Sequence, residues 1–141
     1  MVDLQLTRVG SPALDLNYML FCSLNGDVRR AELSNFFVKY YATFASVMAA
    51  SGVAMKFTLD QLKKEFVNKN KFGLLMGMML IPYVLLDSAN TIHLDDFVPE
   101  DVENMMEEYQ EFILNQVLKN PLLGPRFLDL FDDMEKAGVI H

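Results

Sequence analysis
Apolar residues recur at helical spacing along most of the chain, and short polar connectors break the pattern into helices. Leu14 to Leu24 reads as an apolar helix stopped by Asn25-Gly26, a strong turn pair. Asp27 is placed to cap the next helix, which runs to about Ala50. Its Leu33, Phe37, Tyr40, Tyr41, Phe44, Val47 and Met48 form an apolar stripe, with Arg29, Arg30, Glu32 and Lys39 largely on the other face. Ser51-Gly52 closes it. Thr58-Leu59-Asp60-Gln61 is a capping box: the threonine hydroxyl accepts the Gln61 amide N–H, and the Gln61 side chain reaches back. It opens a short helix through Leu62 and Phe66.

Phe72 to Leu86 is fifteen residues without a charge, flanked by Lys69, Lys71 and Asp87. At 1.5 Å per residue the run covers roughly 22 Å, short of the ~30 Å hydrocarbon core of a bilayer. It also contains Gly73, Gly77 and Pro82, the last of which should kink it or end its regular part. A helix apolar all round in a soluble protein belongs in the core. The run is therefore expected to be the buried centre of the molecule, with Leu75 inside, packed on the Phe37–Met48 and Met105–Val117 stretches.

A polar connector, Ser88 to Val98, follows. Pro99 suits a first helical position, and Glu100, Asp101 and Glu103 complement the positive end of the helix it opens. Val102, Met105, Met106, Tyr109, Phe112, Ile113 and Val117 are its apolar stripe, while Glu107, Glu108 and Glu111 form a solvated face. Those acids lack the Asp-rich, Gly-containing loop of a calcium site. Asn120-Pro121 ends this helix, and Gly124-Pro125 starts a last one with Phe127, Leu130, Phe131 and Met134 inward and Ala137-Gly138 closing. The fold class expected is mainly α, one helical unit over residues 1–141 with a residual strand around Val2 to Leu6.

Composition narrows the function classes. The apolar fraction is 52%, with eleven Phe and ten Met as large packing units. A net charge of −7 argues against nucleic acid and against an anionic membrane surface, both of which call for clustered Lys and Arg. Cys22 is the single cysteine, which excludes an internal disulfide and a cysteine metal cluster; on its apolar helix it reads as a small buried hydrophobe. The first ten residues hold Asp3 and no apolar run, so no secretory signal is read and a cytoplasmic location is expected.

The residues that carry chemistry lie near the beginning. Val2-Asp3-Leu4-Gln5 is an acid on a short apolar strand, and Gly10-Ser11-Pro12-Ala13-Leu14-Asp15-Leu16 is a Gly/Pro turn with a second acid opening an apolar helix. Taken alone, Asp3 reads as an exposed acid and Asp15 as a helix N-cap. Together the two segments resemble the ecdysteroid kinase-like (CHK kinase-like) family, relatives of choline and aminoglycoside kinases, whose members carry Val-Asp-Phe-Gln and then Gly-x-Pro-Ala-x-Asp-Leu. Leu4 stands where the family has Phe. The resemblance continues through Phe21-Cys22-Ser23-Leu24, Tyr40-Tyr41, Phe57-Thr58-Leu59 and Lys71-Phe72-Gly73-Leu74-Leu75.

This resemblance implies an ATP-dependent phosphotransferase acting on an alcohol, an ecdysteroid or another hydroxylated lipid-like acceptor. Asp3 would bind Mg2+, which bridges the phosphates of ATP; Gln5, on the same face of the strand, would support it. Asp15 would hydrogen-bond the backbone of the catalytic loop. The match corresponds to the C-terminal part of such a kinase. A Gly-rich loop, a strand lysine and a catalytic His-x-Asp-x-x-x-x-Asn are expected before residue 1. The chain has two histidines, His93 and His141, and His93-Leu94-Asp95 has Glu100 where the loop needs Asn. The opposing class is a non-catalytic helical binding or scaffold protein derived from a truncated kinase paralogue.

Overall fold
A computed structural model describes residues 9–85 and 102–141. Ser11 opens the first helix, α1 (Pro12–Ser23): its hydroxyl accepts the Ala13 N–H at 3.3 Å, and Pro12 brings the helical φ already set. Asp15, expected to be the cap, instead sits exposed inside the first turn, where its charge complements the positive helix end. Helix α2 (Gly26–Ala50) starts one residue before the expected cap Asp27, whose carboxylate accepts only the next amide, Val28 N–H, at 2.8 Å. It ends in a Schellman motif: Gly52 takes φ 69°, its N–H reaches Ala49 O, and Val53 N–H reaches Met48 O at 2.9 Å.

Helix α3 (Leu59–Asn68) carries both bonds of the capping box, Gln61 N–H to Thr58 Oγ1 at 3.2 Å and Thr58 N–H to Gln61 Oε1 at 2.8 Å. One residue, Lys69, separates it from α4 (Asn70–Val84). Helix α5 (Val102–Lys119) and α6 (Leu123–Lys136) complete the set, α6 closing on a second Schellman motif at Gly138, φ 68°. The described residues form helices and no strand. The expected strand at Val2–Leu6, the connector Ser88–Val98 and the start at Pro99 lie outside them.

The centre of the packing is α1. It lies chiefly against α4 and α3, and α6 packs on the other part of α4. Leu16, Leu20 and Phe21 of α1, Phe37 of α2, Leu62 and Phe66 of α3, Ile81 of α4 and Leu123, Leu130 and Met134 of α6 form one buried cluster. The Phe66 ring is stacked on Phe21 and meets Phe37 edge-on, with centroids 5.9 and 5.1 Å apart.

The uncharged run corrects the expectation of an all-round buried helix. Its inward face is Asn70, Gly73, Gly77, Ile81 and Pro82, with the small residues setting the approach. A Cβ on Gly73 would lie 2.5 Å from Phe21 Cδ2 and 2.6 Å from Asn17 Oδ1; one on Gly77 would lie 2.8 Å from Leu130 Cδ2. Bare backbone faces α1 and α6, and Leu75, Met78 and Met79 turn outward: Leu75 is 50% exposed. The principal neighbours are α1 and α6 rather than α2 and α5, although Tyr83 stacks on Phe112 of α5 at 5.7 Å. No helix among the described residues is long and apolar enough to cross a membrane.

Two substitutions separate the exposed leucine from the core. Leu75→Asp is expected to leave the chain folded, at a cost of about 1–2 kcal/mol from half a buried side chain and a weaker helix former. Leu130→Asp, at a fully buried position, should prevent folding by adding an unpaired buried charge to lost packing. Urea melts followed by circular dichroism check both, and an unfolded Leu75→Asp chain would contradict this packing.

Candidate functional site
The residues picked out by sequence do not converge within the described structure. Asp3 and Gln5 lie outside it. Asp15 projects from the exposed first turn of α1. Burial raises the pKa of the Tyr40 phenol on α2, and the negative charge of Asp15 adds to the shift. Among the described residues no group of three His, Cys, Asp or Glu side chains could hold a metal ion. The Mg2+ and ATP expectations rest on Asp3.

What the fold does assemble is a polar cluster where α1, α2 and α6 meet. The last turn of α1 has no basic residue, yet its final carbonyls are turned toward the interior. Arg29 of α2, expected on a solvent face, is 3% exposed and supplies donors: Nη1 reaches Leu20 O at 3.3 Å and Leu24 O at 3.1 Å. Its Nε and Nη2 both bond Asp133 Oδ2 of α6, at 2.8 and 2.6 Å, and its guanidinium stacks 4.8 Å above the Phe21 ring. Arg126 of α6 gives Nη2 to Cys22 O at 2.9 Å and Nη1 to Asn25 Oδ1 at 2.8 Å. Burial, with the neighbouring Arg29 charge, lowers the Arg126 pKa.

The same helix caps α2. Asn25 spends its side-chain oxygen on Arg126 and makes no capping bond, so Asp129 Oδ2 accepts the Gly26 N–H at 3.3 Å. Position 26 has no room for a Cβ, which would collide with the Asp129 carboxylate. Arg30 closes the cluster from the outside, bonding Asp129 at 2.8 Å and Asp133 at 3.0 Å. Its hydrogen bond is the main reason that the Asp129 carboxyl sits below the usual range. Arg29 and Arg30 are paired with Asp129 and Asp133, and Arg126 is held by neutral acceptors, so the cluster is a clamp between helices. Cys22, beneath it, is buried, and burial pushes its thiol up to about 11, against a smaller opposite pull from Arg126.

A different surface has the shape of a ligand site. Helices α4, α5 and α6 enclose an apolar groove of about 750 Å³ lined by Met78, Gln110, Ile113, Leu114, Val117, Gly124, Phe127, Leu128 and Phe131. Helix α4 contributes Met78 to it and α1 contributes nothing. The remaining wall comes from α5 and α6. Periodicity marks Ile113, Val117, Phe127 and Phe131 as apolar stripe, but it cannot show that they face an open groove.

A family model described as "Uncharacterized oxidoreductase dhs-27" matches residues 1–120 of the chain. No curated protein and no solved structure matches it.

The clamp makes a stability prediction. Arg29→Met leaves Asp133 facing buried carbonyls and should cost about 3–5 kcal/mol. Arg30→Ala, at a half-exposed pair, should cost no more than about 1 kcal/mol. Denaturant melts of both variants measure the difference, and equal losses would refute it. The pH dependence has a fixed sign. With its folded pKa lowered from 3.8, Asp129 contributes stability above that pH, which is lost as pH falls through the folded value. Asp129→Asn should flatten this acid limb of the stability curve.

Proposed function
The chain belongs to the family described as "Uncharacterized oxidoreductase dhs-27", and from that premise we propose that it is the helical C-terminal part of an ATP-dependent small-molecule kinase acting on an alcohol. The observation that carries the reading is the extent of the match: it takes in Asp3, Asp15 and helices α1 to α5 in one block. The kinase side of the reading is supported by the resemblance of Val2–Gln5 and Gly10–Leu16 to ecdysteroid kinase-like proteins. The word oxidoreductase in its description fits this chain less well. A nicotinamide-dependent enzyme builds its cofactor site on a βαβ unit with a Gly-x-Gly-x-x-Gly turn. The sequence has no such turn, and the described residues contain no strand.

In this reading Asp3 is the metal ligand and Gln5 supports it from the same side of the strand. Bound Mg2+ supplies charge neutralisation on the phosphates of ATP. Asp15 is a positioning residue: its carboxylate, exposed at the head of α1, accepts backbone N–H groups from a catalytic loop. The acceptor is a hydroxylated, lipid-like molecule. The competing reading, a non-catalytic helical binding or scaffold protein, has one observation in its favour. Neither histidine of the 141-residue chain stands in a His-x-Asp-x-x-x-x-Asn loop, so these residues alone contain no such base.

The purified chain is accordingly expected to show no transfer of the γ-phosphoryl of ATP to a hydroxysteroid in the presence of Mg2+. Positioning of nucleotide, metal and base is most of this catalysis, and one carboxylate does not supply it. In a relative that also carries the catalytic loop, Asn at the position matching Asp3 should abolish turnover with the melting temperature unchanged. Turnover surviving that substitution would remove Asp3 from the metal site and with it the kinase reading.

A further inference from the structure
We propose that the groove between α4, α5 and α6 is a docking site for a partner protein, and that the segment it takes is a basic amphipathic helix. The groove exists because α5 stands apart. Among the described residues its main contacts are with α6, while α4 packs chiefly on α1 and α6. An amphipathic helix ordinarily buries its apolar stripe against a neighbour. Here Leu114 and Leu118 of α5 are 63% and 84% exposed, and Leu128, across the groove on α6, is 66% exposed. Apolar surface gathered in this way marks a site of interaction.

The charges at the edge of the groove decide what fits it. Residues three or four apart are neighbours on a helix surface. Glu107 lies three before Gln110, Glu111 three before Leu114, Asp132 four after Leu128 and Glu135 four after Phe131. All four acids are exposed, and each flanks a side chain that lines the groove. The cations on the same faces are fewer: Lys136, four beyond Asp132, and Lys71, seven before Met78. The described edge is therefore negative. An apolar floor inside such an edge complements a helix with apolar anchors at i, i+3, i+4 and i+7 and Lys or Arg beside them. Met78, unbranched and adaptable, suits a floor that receives side chains.

The same charges work against other occupants. A second copy of the chain would bring its own acidic edge against this one, and each chain carries a net −7. An anionic lipid surface is repelled for the same reason. The proposal does not rest on the kinase reading, since docking needs neither nucleotide nor Asp3.

The probe is a Leu/Lys amphipathic peptide of about 18 residues, five helical turns, titrated into the purified chain by calorimetry at physiological ionic strength. It should bind one to one and gain helical circular dichroism. The same pattern with Glu in place of Lys, and a Leu/Lys peptide of scrambled order, should each bind at least about tenfold less tightly. Glu111→Lys combined with Asp132→Lys should also weaken the Leu/Lys peptide at least about tenfold. The same charge change at Glu32 and Asp60, exposed on α2 and α3, should alter its affinity by less than about threefold, because salt screens distant charges. Leu128→Ser, at an exposed position, should weaken binding with the melting temperature little changed. Failure of the Leu/Lys peptide to bind would overturn the proposal, as would equal binding of the Glu or scrambled peptide, or equal losses from the two double reversals. So would a concentration-dependent dimer, seen by sedimentation, that Leu128→Ser dissociates.

Discussion
The C-terminal end of α1 is the point on which this fold depends. A helix that ends in the interior leaves carbonyls that water cannot reach, and each needs a donor. Helix α1 has no basic residue of its own there. Arg29 arrives from α2 and Arg126 from α6, and between them they bond Leu20, Cys22 and Leu24 carbonyls. Two buried guanidinium groups then require negative charge, which Asp133 supplies to Arg29 directly. Hydrogen-bond satisfaction at one helix end thus ties together segments 104 residues apart.

That tie sets the position of everything that follows. With α6 anchored to the α1–α2 corner, α4 must fit between α1 and α6, and it can do so only by presenting glycine. Gly73 admits Phe21 and Asn17, and Gly77 admits Leu130. The consequence is an inversion of the usual arrangement for an uncharged helix. Its glycines sit inside at the closest approach, and Leu75, Met78 and Met79 are turned outward, Met78 toward the groove beside α5 and α6. The apolar groove is therefore a by-product of close helix packing on the opposite face.

The helices themselves were legible in the sequence, since they depend on local signals. The Thr58–Gln61 box, Gly52 and Gly138 act within a few residues, and each is where its residue type predicts. Asp15 was misjudged as a cap although the better signal was adjacent: Ser11 followed by Pro12 is a stronger start than an acid three residues later. Arg29 could not be recognised as buried. Its neighbours in sequence are those of a solvent face, and the partner that pulls it inward is Asp133, on another helix. The exposure of Leu75 was equally illegible, because an all-round apolar helix has no preferred face until its neighbours choose one. The groove follows from the same long-range choices.

The tie between α1 and α6 is most directly tested by amide hydrogen exchange on Arg126→Met. Loss of protection along α6 and in the last turn of α1, with α3 still protected, is the predicted result. Unchanged protection in α6 would contradict the account.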